Sequence, residues 1–188
     1  LGQVVTRLSG SESSPDNIEI SPDDRWIVTY HEDEEKLWSW AADTGARLSE
    51  WQMTGISLDQ VRFAHNSSVL CAIASDQRVL CWSVPDLRVL LTTNTLRLEP
   101  SSIVTSADAK WTVAAYQGSD DLQAWQIENG QETVIAAPAI ESEIQSVARK
   151  PVFAPDSRWI AIQYEVITPI GERGQAIHVL STGTWEGL

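Results

Sequence analysis

"KLWSWAADTG", residues 36–45, is the stretch that decides the fold. A short apolar run ends in Trp40 and gives way to a polar turn closed by Gly45. The pattern returns in altered form as "VLCWSVPDL" at 79–87, "LQAWQIENG" at 122–130 and "IHVLSTG" at 177–183. Self-similarity of this kind has to be read first, because a repeat unit buries its apolar face only against its neighbours.

A second set of turns fixes the period. "ISPDDRW" begins at residue 20, "FAHNSSV" at 63, "TSADAKW" at 105 and "FAPDSRW" at 153. Each leads into an apolar run ("WIVTY", "VLCAIA", "WTVAAY", "WIAIQY"), then a polar loop, then the run that contains the opening motif. Each unit therefore reads as strand, turn, strand, loop, strand, turn, strand. The runs are short and rich in Val, Ile, Trp and Tyr, which suit a pleated surface. Pro, Asp, Asn, Ser and Gly punctuate them, each with its own turn chemistry. No stretch shows sustained helical periodicity. Four strands in about 42 residues is the arrangement of propeller blades. The expectation is an all-β propeller with four-stranded antiparallel blades in units 9–51, 52–94, 95–138 and 139–188. Residues 1–8 would form the outer strand of a preceding or closing blade.

The nine tryptophans support this alignment. Trp26, Trp111 and Trp159 form one column with Val69 as its fourth member. Trp40, Trp82 and Trp125 form another with Val179. Sheets stacked face to face need large flat side chains at matching positions, so these six are read as core.

On these motifs the chain resembles the WD-repeat family. The third strand ending in Trp, the "DTG" or "ENG" turn and the "SPD" turn carry the resemblance, which covers nearly all of the chain. "GQVVTRLSG" is similar to the segment that opens such a repeat, with Ser11 where the family has His. The Trp-Asp and Gly-His dipeptides are missing, so the family's buried Asp-His-Ser-Trp network is not carried over, and apolar packing is expected to hold the sheets. Another propeller family with similar blades is the alternative. The resemblance implies a non-catalytic protein–protein interaction scaffold, such as the sensor or partner-binding part of a larger signalling protein. The other function class is a propeller domain that shapes the active site of a peptidase- or quinoprotein-like enzyme. Four blades are fewer than the family's usual ring, so the chain reads as a segment of a larger propeller; closure of a four-blade ring by residues 1–8 is the other reading.

The chain has 188 residues and a formal net charge of −13. Such a surface repels phosphate backbones and favours basic partners. No apolar run reaches the roughly 20 residues that span a bilayer. The expected partners are other proteins, including basic peptides or surfaces, with no nucleic acid and no membrane, in the cytoplasm. Cys71 and Cys81 fall on adjacent strands of one hairpin and are read as free thiols, with a bridge as the alternative. His31, His65 and His178 occupy different repeat positions, so no metal site is expected. No catalytic or cofactor-binding fingerprint is present, and no cofactor is expected.

The loops carry the candidate sites. In the resembled fold the link between second and third strands shares a face with the link between blades. One rim would then carry Glu12, Asp16, Glu32, Asp33, Glu34, Glu35, Asp120, Asp121, Glu141 and Glu143. Charge of one sign on one face steers association; the plainer reading is a solvated surface. The fourth unit is longer, and "YEVITPIGERGQAIHVL" is expected to form a hairpin with Ile167, Pro169 and Ile170 near its tip. Exposed apolar tips mark contacts, unless the hairpin folds back onto its neighbour.

Overall fold

The computed structural model describes residues 7–10, 13–94, 100–116, 119, 121–136, 145–167 and 170–186, with backbone alone over 145–149. These residues form strands joined by turns, and no helix among them is long and apolar enough to cross a membrane. Sheet I contains β1 (Asn17–Ile20), β2 (Trp26–His31), β3 (Lys36–Ala41) and β4 (Arg47–Gln52). Sheet II contains β5 (Leu58–Phe63), β6 (Val69–Ala74), β7 (Val79–Ser83) and β8 (Val89–Thr92). Sheet III contains β9 (Pro100–Thr105), β10 (Trp111–Tyr116), β11 (Leu122–Gln126) and β12 (Glu132–Ile135). Sheet IV contains β13 (Gln145–Phe153), β14 (Trp159–Ile167) and β15 (Arg173–Ser181). Within each sheet, strands pair antiparallel in chain order, and the fourth sheet has three strands among the described residues. Residues 1–6 lie outside the described set, and Arg7 and Leu8 have no strand geometry.

The same turn builds every first hairpin. The fourth turn residue is left-handed in all four: Asp24, Ser67, Ala109 and Ser157, with φ of 57–62°. Its N–H donates back three residues, to the carbonyls of Ser21, Ala64, Ser106 and Ala154. The residue before it is always Asp or Asn, and its side-chain oxygen accepts the N–H two places on, at Arg25, Ser68, Lys110 and Arg158. That short side chain mimics a backbone turn and holds the next residue in a conformation that costs L-residues energy. A further N–H, from Ala42, Val84, Ile127 or Thr182, ties the last turn of each sheet to the first.

The chain divides into two compact units, 1–94 and 95–188. In the first, Val28, Tyr30 and Leu37 of sheet I meet Leu70, Leu80 and Trp82 of sheet II in one buried cluster. Trp51 meets Trp82 edge-on at 5.0 Å. The N–H of Asp23 donates to the Ser67 hydroxyl of the next sheet at 3.0 Å. The second unit repeats the device: the N–H of Asp108 donates to Ser157 at 2.9 Å, and Trp111 meets Trp185 edge-on at 5.0 Å. Val113, Leu122, Ile160, Ile162 and Tyr164 fill the core between sheets III and IV.

Side chains alternate across a strand, so the two tryptophan columns lie on opposite faces. Trp40, Trp82 and Trp125 are buried, whereas Trp26, Trp111 and Trp159 are half-buried at the sheet margin. Pairing corrects one member of the Trp40 column. Trp40, Trp82 and Trp125 sit opposite Ile27, Leu70 and Thr112, and the equivalent partner of Ile160 is Leu180, not Val179. Leu180 joins the core and Val179 points to the other face.

The free-thiol reading is also corrected. Cys71 and Cys81 lie directly opposite on β6 and β7, as the hairpin reading required, and form a disulfide. Two cysteines at facing, fully buried positions of adjacent strands are already within bridging distance.

Candidate functional site

The loop between β2 and β3, residues 32–35, projects from the edge of sheet I and is pinned on both sides. The segment before β1 holds it through Asp16, whose carboxylate accepts the Glu32 N–H at 2.8 Å, and through Ser13. The segment after β4 holds it from the other side: Met53 N–H donates to the Glu35 carbonyl at 2.7 Å, and Gly55 N–H to the Glu35 carboxylate at 3.0 Å. Gln52 Nε2 adds a bond to the Glu35 carbonyl at 3.1 Å. The segments before β1 and after β4 therefore both meet this loop.

Pinning separates the four acids. Glu32 and Asp33 are exposed, and Glu34 and Glu35 are half-buried. Glu35 is engaged by Gly55. Glu34 ends a buried hydrogen-bond chain that sequence reasoning missed. Trp40 Nε1–H donates to Thr29 Oγ1 at 2.9 Å, which lies 3.0 Å from His31 Nε2. On the far side His31 Nδ1 is 3.4 Å from Ser13 Oγ, and the Ser13 hydroxyl donates to Glu34 at 2.8 Å. Ser13 gives its proton to Glu34, so it accepts from Nδ1–H, and Nε2 accepts from Thr29. The chain thus runs one way, from indole to carboxylate, through a neutral imidazole. Burial lowers the His31 pKa, against the opposing pull of Glu34 and Asp16. Apolar packing is therefore not the sole means of holding sheet I. The signal available was strand alternation: Thr29 and His31 must share a face.

The other predicted residues are dispersed. Asp121 is exposed immediately before β11, and its N–H donates to Ser119 Oγ at 3.2 Å. Asp120, Glu12, Glu141, Glu143, Ser11 and Pro169 lie outside the described residues. β14 and β15 pair over nine residues up to Ile167 opposite Arg173, giving the long hairpin foreseen. At its tip Ile170 is 81 % exposed, and Ile167 is half-buried. Among the described residues no group of three His, Cys, Asp or Glu side chains could hold a metal ion. His65 is exposed in its turn, and His178 meets Tyr164 edge-on at 5.8 Å.

No family model and no curated protein matches the sequence. Solved structures do match its fold. The computationally designed Ika4 protein superposes with a TM-score of 0.61 at 16% identity, over 94% of this chain and 98% of that one. The computationally designed Ika8 protein gives 0.62 at 15% identity, over 93% of this chain and 52% of that one. This chain therefore spans about half the length of Ika8. At such identities the likeness is one of fold alone.

Proposed function

We propose that the four sheets are blades of a WD-repeat type β-propeller, complete or part of a larger ring, and that it works as a non-catalytic protein-interaction scaffold. The observation that carries the reading is the pinned loop: Glu32 and Asp33 stand exposed on backbone held from both sides. A rigid acidic element loses little conformational entropy on binding and attracts positive charge over distance. Its partner is a protein offering a basic peptide or surface, and the exposed Ile170 tip supplies an apolar contact. With a net charge of −13 the chain repels nucleic acid and anionic membranes. The cytoplasm remains the proposed location, with the Cys71–Cys81 bridge arguing for an oxidising one; non-reducing mass spectrometry of protein recovered from cells decides between them.

The test is stopped-flow association with a fluorescent Lys/Arg-rich peptide. At low salt, Glu32→Gln with Asp33→Asn slows association about threefold or more, and the difference shrinks as salt screens the loop. Equal rates for the two proteins at low salt would remove the acidic loop from the reading. Ile170→Ser raises the dissociation rate without changing thermal stability.

A further inference from the structure

The turn between β11 and β12 of sheet III runs through "QIENGQ", residues 126–131. Gly130 is left-handed there, with φ of 69°. Its N–H donates to the Gln126 carbonyl at 2.8 Å, and the Gln126 N–H donates to the Gln131 carbonyl at 2.9 Å. Asn129 fastens the same turn with both ends of its side-chain amide. Its Oδ1 accepts the Gln131 N–H at 2.9 Å, and its Nδ2 donates to Gln126 Oε1 at 2.8 Å. At the same place sheets I and IV carry Thr44 and Thr184, whose hydroxyls accept the N–H two residues on. Sheet II carries Asp86. Sheet III alone puts an amide there, and Asn129 is the one asparagine of the sequence followed by Gly; Asn17, Asn66 and Asn94 precede Ile, Ser and Thr.

We infer that Asn129–Gly130 is a self-modification site, held shut by the folded turn and released when β12 detaches, at which Asn129 becomes aspartate or isoaspartate with water as the sole co-reactant. The Gly130 nitrogen attacks Cγ of Asn129. The Cγ–Nδ2 bond breaks, and Nδ2 leaves as ammonia with the proton that Gly130 gives up. Water then opens the cyclic imide. Breaking the new bond from nitrogen to Cγ yields aspartate; breaking the bond from nitrogen to the main-chain carbonyl carbon yields isoaspartate. Gly favours the attack because it has no Cβ to hinder the approach. The folded turn opposes it. The attacking nitrogen is engaged through its N–H with Gln126, and the amide is held at both ends. Three hydrogen bonds must therefore be given up before ring closure.

The strand beyond the turn is suited to opening. β12 has four residues, lies at one edge of its sheet and pairs with β11 alone. Glu132 and Val134 are exposed, and Ile135 is the residue of β12 that enters the core, at 2 % exposure. Local opening is easiest where few apolar contacts hold a strand. The two products differ in consequence. Aspartate keeps an oxygen for the Gln131 N–H, as Asp86 keeps one for the Ser83 hydroxyl. Isoaspartate routes the main chain through Cγ, adds a carbon to the turn and shifts the register by which Glu132 faces Trp125 and Ile135 faces Leu122. It therefore loosens β12 irreversibly. This inference rests on the turn and not on the interaction reading.

The test is incubation of the whole chain at mildly alkaline pH, folded in buffer and unfolded in urea, with peptide mapping by mass spectrometry over time. In urea, Asn129 is expected to convert first among the four asparagines, with isoaspartate in excess. In the folded protein its conversion is slower by about tenfold or more, the margin set by how rarely β12 opens. Ile135→Ala, which weakens the hold on β12, and Gln126→Ala, which frees the Asn129 amide at Nδ2, each speed the folded conversion and leave the rate in urea unchanged. Asn129→Asp keeps the thermal stability of the wild type, whereas aged protein enriched in isoaspartate unfolds at lower temperature. Equal rates in buffer and urea overturn the protection by the turn. Absence of conversion in urea overturns the site. A folded rate that neither variant raises overturns the gating by β12; where Ile135→Ala does not fold, Gln126→Ala alone decides.

Discussion

The indole N–H of Trp40 donates to the hydroxyl of Thr29 across 2.9 Å. Sheet II has the same diagonal geometry, with Leu70 opposite Trp82 and Ala72 opposite Leu80, but Ala72 stands where Thr29 does. The buried Trp82 N–H has no acceptor. One repeat position thus carries a satisfied tryptophan in one sheet and an orphaned one in the next. An unpaired buried donor costs about 1–3 kcal/mol. Thr29→Val leaves the Trp40 indole N–H and His31 Nε2 without a partner and is expected to lower stability by about 2–4 kcal/mol in urea unfolding. Ala72→Ser offers Trp82 an acceptor with little added volume and is expected to raise stability by up to about 1 kcal/mol. A loss of stability there would show that the indole pocket cannot admit an oxygen.

His31 makes the fold acid-sensitive above the carboxylate range. Its folded pKa lies below the unfolded value near 6.5 because burial disfavours the charged ring. The unfolded state then binds the proton first. This contribution is fully present above pH of about 6.5 and is lost as pH falls through the lower folded value. The slope is at most about 1.4 kcal/mol per pH unit for one proton. Urea midpoints should fall between neutrality and about pH 5, and the decline should flatten in His31→Gln. An identical slope in that variant would assign the effect to another group. Asp23, lowered by the Ser21 hydroxyl, and Asp76, lowered by Arg78, lose their contributions only below about pH 4.

Ala109 occupies a left-handed position with φ of 57° and has no polar group that gains from it. Ala109→Gly removes the steric cost and, after the unfolded chain's added freedom, is expected to stabilise by about 0.5–1 kcal/mol. Ser67→Gly relieves the same backbone but loses the bond from Asp23, so no gain is expected there. Thermal unfolding of the pair measures the worth of that intersheet bond.

The Cys71–Cys81 bridge closes a loop with a sequence separation of 10. Chain-entropy arguments give such a loop about 2.5–3 kcal/mol. Reductant should lower the urea midpoint of the wild type and leave Cys71→Ala/Cys81→Ala unaffected. Thiol titration of the unfolded chain should find no free thiol without reductant. Finding two would overturn the bridge.

The candidate surface was legible in part. The acidic loop stood out because charge runs and strand ends are local. That Glu32 and Asp33 face solvent while Glu34 is drawn inward was not, since Glu34 is held by Ser13, which lies a whole strand pair earlier. The apolar tip at Ile170 was readable because the extra residues fall between two strands whose pairing is unbroken.

By itself the sequence determined four units, their turns and the strand order, because hairpin turns and strand alternation are settled within a few residues along the chain. Trp40, Trp82 and Trp125 could be aligned from the turn that follows each. Only the tertiary structure decided that Leu180 rather than Val179 completes their column, since a one-residue shift in pairing turns a side chain to the opposite face. Only it joined Cys71 to Cys81 and threaded Trp40, Thr29, His31, Ser13 and Glu34 into one chain of hydrogen bonds. Those outcomes depend on distance between atoms carried by different strands, and spacing along the chain does not contain that distance.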